Sequence, residues 1–309
     1  MRTRRMMAGP MLLLSLTAGC GAEQAAVIPA AAKPPSKVAR CVLKIPSPRA
    51  GAEARAQLVR DLAAYIATRP GRIVYGAMDL VTGVQFGQGA HDHDIITASG
   101  AKVDILTALL HQRTQDLTEE ERDLAILMIT ESDNLAADAL WSRVGASSAM
   151  SAFYESVGLT ETTPGPDIYW GGTLTSPTDR IRLLKLLVRG DKSGKSDLTA
   201  ADRRFVLRLM SRVQKDQSWG VSAAARPGDR VALKNGWTPR PFISGTWAMT
   251  SYGRIEGPDR DLLLSVQTDN QPGPDMGIET IERVSRRIGN RLDSLAPNIT
   301  RPCTGNPTA

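Results

Sequence analysis

Strand-type alternation in this 309-residue chain is confined to two separated stretches, and most of the sequence between them repeats with the period of a helix. Residues 72–88 read as two strands turning at Thr82-Gly83, and 231–234, 246–252 and 261–268 alternate like three more. In between, 99–112, 118–130, 135–144, 149–157, 178–188 and 200–213 carry apolar residues at helical spacing. A helix over 52–68, marked by Leu58, Leu62 and Ile66, precedes the first strand pair, and an amphipathic helix over 277–292 follows the last strand. This order predicts an α/β protein of the α+β type. A five-stranded antiparallel sheet is assembled from both ends of the chain and flanked by the terminal helices, with an all-helical subdomain inserted between its halves. The two ends of the domain are then expected to meet on one sheet face.

The first residues carry an address. Arg2, Arg4 and Arg5 precede an apolar run, Met11 to Leu16, too short to span a bilayer, and Thr17-Ala18-Gly19-Cys20 follows. Residues 1–19 read as a signal peptide, and small residues ahead of a cysteine resemble a lipoprotein processing site, which predicts acylation of Cys20 and a membrane anchor facing the extracytoplasmic side. Simple secretion with a cut nearby is the alternative, and Arg4-Arg5 permits twin-arginine export. Residues 20–50, rich in Ala, Pro, Lys and Ser, are expected to be a tether, 51–295 the folded domain and 296–309 a tail. Setting Cys20 aside leaves Cys41 and Cys303, an even pair that an oxidising compartment would join. A Cys41–Cys303 disulfide is expected, with two free thiols as the alternative.

Several function classes drop out. The charge of +6 is spread along the chain without an aromatic-studded basic run, which argues against nucleic acid and suits an anionic lipid or wall polymer, or simply a solvated basic surface. There is no Walker loop or dinucleotide fingerprint, so no nucleotide cofactor is expected. His91-Asp92-His93-Asp94 would present both imidazoles on one side of a strand, but no third ligand stands at suitable spacing. It reads as a polar loop, with no metal site.

The chemistry resides in three short motifs. Ser99-Gly100-Ala101-Lys102 puts a hydroxyl and an amine three residues apart, on one face of a helix. A partly desolvated lysine with a lowered pKa removes the proton that keeps a serine hydroxyl a weak nucleophile. Ser132-Asp133-Asn134 follows between two helices, and Lys234-Asn235-Gly236 then begins on a strand of the second sheet half. In this order and context the first two match S-x-x-K and S-D-N, and the third stands where K-T-G would.

On these motifs the chain resembles the class A β-lactamase-like serine hydrolases, which share their fold with penicillin-binding D,D-peptidases. The resemblance covers about residues 52–295 and implies a β-lactamase/transpeptidase-like fold. It makes Ser99 the acylated nucleophile, Lys102 its base and Ser132 the relay to the leaving nitrogen. Asn134 would hold the substrate amide, Lys234 would supply positive charge, Asn235 would donate to the substrate carboxylate, and Gly236 would let the strand approach the ligand. Backbone N–H groups of Ser99 and Trp237 would form the oxyanion hole. The implied partner is a small β-lactam or a peptidoglycan-like peptide met by a monomer without cofactor. Departures accompany the likeness: Asn235 replaces a hydroxyl residue, and only about 30 residues separate Lys102 from Ser132, so the helical subdomain should be shortened. The loop 159–177 lacks E-x-x-L-N, which leaves Glu161 and Asp167 as its only carboxylates, either one a substitute water activator or a surface residue. Slow deacylation, or a binding protein that senses or sequesters its ligand, follows from that loss. Trp170 is expected at the pocket rim, with Trp219, Trp237 and Trp247 lining the channel or packing on the sheet.

Overall fold

In the computed structural model, which describes residues 42–191 and 197–302, a short strand β1 (Val42–Pro46) leads into helix α1 (Pro48–Ile66) and the hairpin of β2 (Arg72–Asp79) and β3 (Gln85–Gln88). A two-residue strand β4 (Ile95–Ile96) opens the helical part: α2 (Ala101–Gln112), α3 (Glu119–Ile126), α4 (Asn134–Val144), α5 (Ala146–Ser156), then strand β5 (Leu174–Thr175), α6 (Pro177–Arg189) and α7 (Ala200–Met210). The chain returns to the sheet with β6 (Arg230–Arg240), β7 (Thr246–Gly257) and β8 (Arg260–Gln271), and ends in α8 (Pro274–Arg291) and β9 (Asn298–Pro302).

The main sheet has the order β3-β2-β8-β7-β6, all neighbours antiparallel, so the strands from the two ends of the chain interleave at the β2–β8 pair. Alternation along β8 splits the interior into two cores. Leu262, Leu264 and Val266 join Leu58 and Leu62 of α1 and Ile281, Val284 and Ile288 of α8, whereas Leu263 faces the helical side with Tyr252. On that side α2 is the hub, with every residue from Ala101 to Leu110 buried. A helix buried on every side can be accommodated only where neighbours enclose it. Helix starts are locally encoded: Thr118 and Glu121 form a capping box on α3, Asp133 caps α4 and Ser176 caps α6, each cap contributing about 1 kcal/mol.

Two differences from the sequence reading concern extents. Among the described residues secondary structure runs from Val42 to Pro302, beyond the expected 51–295, and β1 and β9 pair as a two-stranded sheet. Each is a five-residue segment that gains a partner only from the other end of the chain. Strand β6 runs past Lys234 to Arg240, because eleven residue pairs with β7, from Arg230–Glu256 to Arg240–Thr246, override the turn tendency of Asn235-Gly236. Cys20, Cys41 and Cys303 lie outside the described residues.

Candidate active site

Ser99 sits in a 3-10 turn, Ala98–Gly100, immediately ahead of α2. Ala98 has φ 47°, a left-handed conformation that costs a non-glycine residue about 1–3 kcal/mol and persists only where the surroundings impose it. They do: Thr97 N–H donates to Thr173 O (2.8 Å), and the Tyr252 hydroxyl donates to Gly100 O (2.8 Å). Strand β6 presses on the same turn. A Cβ added at Gly236 would lie 2.1 Å from Thr97 O and 2.8 Å from Ser99 N, so only glycine permits this approach.

Lys102, one helical turn beyond Ser99, is fully buried. Its Nζ lies 3.1 Å from Ser99 Oγ, 2.5 Å from Ser132 O, 3.2 Å from Ser132 Oγ and 2.8 Å from Asn134 Oδ1. An ammonium has three protons for these four oxygens, and the two hydroxyls can reverse the bond by donating to a neutral amine. Burial pushes the Lys102 pKa down to about 8, against the nearby charges of Asp133 and Asp138. Lys234 approaches from β6, also fully buried, and donates to Ser132 Oγ (3.0 Å) and Asn235 O (2.9 Å). Burial, and then repulsion from Lys102, lowers it to about 7. Ser132 Oγ therefore bridges two amines that both release a proton near neutrality.

The chain reaches Ser132 by an unusual path. A π-helical turn, Leu127–Glu131, follows α3, and Ser132 itself is left-handed at φ 60° before Asp133 starts α4. Asp133 Oδ1 accepts Ala136 N–H (2.7 Å) as the helix cap.

Ser99 and Asn134 line a cavity of about 500 Å³, together with Asp138, Ile168, Tyr169, Trp170, Trp237 and Thr238. A larger cavity, about 610 Å³ around Arg226, Asp229 and Arg260, contains none of the three motifs. The Trp219 ring packs edge-on against Trp237 at 5.8 Å, whereas Trp247, on β7 opposite Pro239, is not part of the cavity lining. Asn235 sits differently from expectation. Its amide donates to Gln217 O (2.8 Å) and Trp219 O (3.0 Å), so both N–H groups are committed to backbone carbonyls.

The loop carboxylates stand apart from this cavity. Glu161 accepts from His91 Nδ1 (2.6 Å) and from Ser176 Oγ; burial alone would raise its pKa, but these hydrogen bonds hold it lowered. Asp167 is exposed, and its carbonyl accepts the Trp141 indole N–H (2.9 Å). His93 Nδ1 bonds to His91 O, and among the described residues no group of His, Cys, Asp and Glu is arranged to hold a metal ion. Two pocket features escaped the sequence reading. Asp138 is one helical turn after Asn134 on α4 and accepts the Trp170 indole N–H at 2.7 Å, a helical spacing visible in the sequence. The Trp170 ring lies over Lys102 Nζ at 4.8 Å, a contact with no local signal.

Comparison with known proteins places this geometry. The model of the beta-lactamase enzyme family, Beta-lactamase2, matches residues 113–292, a span that contains Ser132, Asn134 and Lys234 and starts beyond Ser99 and Lys102. Proteins of Mycobacterium tuberculosis and Mycobacterium bovis named Putative lipoprotein LppW are 28% identical over 209 residues, which is 64% of this chain and 63% of theirs. The match thus spans under two thirds of those relatives. Among solved structures, a β-lactamase from Chitinophaga pinensis superposes with a TM-score of 0.65 at 19% identity, covering 76% of this chain and 99% of its own. PBP-A superposes with a TM-score of 0.63 at 20% identity, covering 76% and 96%, and a single-substitution variant of PBP-A has been solved as an acyl-enzyme complex with penicillin G. These likenesses show the β-lactamase/transpeptidase fold, with its five-stranded antiparallel sheet and surrounding helices. The chain belongs to the beta-lactamase enzyme family.

Proposed function

We propose that the protein is a serine acyl-transfer enzyme that opens a β-lactam or cleaves a D-alanyl-type amide through an acyl-Ser99 intermediate. The observation that carries this reading is the bond between Lys102 Nζ and Ser99 Oγ, with Lys102 buried and its pKa drawn down to about 8. A neutral Lys102 takes the Ser99 proton as Oγ attacks the carbonyl carbon. Ser132, between Lys102 and Lys234, passes a proton to the departing nitrogen. Backbone N–H groups of Ser99 and Trp237 receive the developing oxyanion, and Asn134 and Lys234 orient the substrate amide and its negative charge. The intact acylation set contrasts with a loop in which Glu161 is held by His91 and Ser176 and the exposed Asp167 is not among the residues lining the cavity, so deacylation is slow.

Acylation of Cys20 would anchor this domain outside the membrane, in keeping with the name of its mycobacterial relatives. Among the described residues no helix is long and apolar enough to cross a membrane. Strands β1 and β9, adjacent in sequence to Cys41 and Cys303, pair with each other, which supports the proposed disulfide.

The test is to incubate the soluble domain with a fluorescent penicillin and a chromogenic cephalosporin. A covalent adduct with a burst and slow steady turnover is expected. No labelling would overturn the reading, and fast turnover without an adduct would make the protein an efficient β-lactamase.

A further inference from the structure

Lys102 has no free side. Four oxygens surround its Nζ, and the Trp170 ring closes the remaining approach at 4.8 Å. A water bonded to Nζ and resting on that ring would need about 6 Å, the sum of a hydrogen bond and a van der Waals contact. The indole and the amine are therefore in direct contact. The ring is held by its edge, since Asp138 Oδ1 accepts the indole N–H at 2.7 Å, and Asp138 is the only carboxylate among the residues lining the Ser99 cavity. Trp170 belongs to a tight turn, with the Trp170 N–H donating to Ile168 O and the Thr173 N–H to Trp170 O, and Thr173 O in turn holds the nucleophile turn through Thr97 N–H.

We propose that Trp170, latched by Asp138, is a hydrophobic plug that keeps hydrolytic water away from Lys102 and so sets the lifetime of the acyl-enzyme. This deepens the function proposed above and rests on it. Hydrolysis of an acyl-Ser99 ester requires water oxygen to bond to the ester carbon while its proton passes to a base; the carbon–Oγ bond then breaks and Ser99 Oγ recovers a proton. Lys102 is the amine beside Ser99 Oγ, and the indole occupies the position from which a water giving its proton to Lys102 would reach the ester. Trp170 is a positioning residue in this scheme, and Asp138 acts through it.

The experiment follows a fluorescent or mass-tagged penicillin on Ser99 by intact mass, measuring acylation and adduct lifetime separately for wild type, Trp170→Ala, Trp170→Phe and Asp138→Ala. Trp170→Ala is expected to shorten the adduct lifetime about tenfold, beyond any change in acylation rate. Trp170→Phe keeps a ring but loses the latch and should fall between, and Asp138→Ala should shorten the lifetime in the same direction. An adduct equally stable or more stable in Trp170→Ala overturns the plug. A longer lifetime in Asp138→Ala overturns the latch and makes Asp138 the water-activating base. Melting curves identify any variant that has failed to fold, and Trp170→Phe then carries the test. Wild type that never labels refutes the parent reading instead, which separates the two failures.

Discussion

Two buried charge clusters stand two residues apart on α2 and behave in opposite ways. Asp104 receives a two-pronged ion pair from Arg180 of α6 (2.6 and 2.9 Å), both side chains fully buried, with Tyr154 and Thr175 adding hydrogen bonds. Burial works against the Arg180 charge, yet Asp104 holds it firmly protonated, and the Tyr252 ring stacks at 5.4 Å. Lys102 and Lys234 are equally buried but meet each other and neutral oxygens, so burial lowers both. The same helix thus carries a matched pair whose protons are fixed and a like-charged pair whose protons are labile. The first ties the nucleophile helix to α6; the second provides proton transfer beside Ser99.

The comparison breaks most visibly at Lys102. Lys102→Ala should slow acylation by a fluorescent penicillin by about 10² to 10⁴, the loss expected for a positioned general base, and Ser99→Ala should abolish labelling. Both variants should melt cooperatively, since the Asp104–Arg180 anchor is untouched. Labelling of Lys102→Ala at the wild-type rate would remove the functional half of the contrast.

The architectural half is tested at Arg180. Arg180→Met leaves the Asp104 carboxylate buried and alone and should cost about 3–5 kcal/mol in urea unfolding, whereas Asp104→Leu with Arg180→Met should recover much of it. If the single variant is no less stable than the double, the pair is not the anchor described.

Which parts of this were legible in the sequence follows from their range. Ser99 and Lys102 fall on one helical face, so their meeting was encoded by spacing alone. Strand patterning at both ends of the chain gave the sheet, because each strand alternates on its own. The Asp104–Arg180 pair spans 76 residues and has no local signature. Strands β1 and β9 were hidden for the same reason, since each is short and its partner lies at the opposite chain end. Asn235 is instructive because the information was present. On a strand, neighbours point to opposite faces, so a Lys234 aimed at Ser132 sends Asn235 away from it, toward Gln217 and Trp219. Family resemblance suggested a substrate contact where strand geometry places a scaffold bond.

A pH profile sharpens the contrast further. Acylation needs one neutral amine, so its rate should climb as pH rises through the region of about 7 to 8 in which the lysines lose protons. An acylation rate flat from about pH 6 to pH 9 would mean that neither lysine titrates in the reaction.

The last effect is on stability, and its direction is fixed by linkage. Lys234 has a pKa of about 7 in the folded protein against 10.5 for an unperturbed lysine. Between those values the unfolded chain binds more protons than the folded one, so this group makes the protein more stable as pH rises. The destabilisation from burying its charge is full below about 7 and disappears above the unfolded value. Lys234→Met removes the charge and also the Nζ donor to Ser132 Oγ and Asn235 O, a loss that does not vary with pH. The informative quantity is therefore the slope. Relative to wild type, Lys234→Met should be most favourable near about pH 6 and lose ground steadily toward about pH 10, measured by urea midpoints. A difference that stays constant over that range would show that Lys234 keeps its proton as firmly as Arg180 does, and the two clusters would then differ in their neighbours but not in their chemistry.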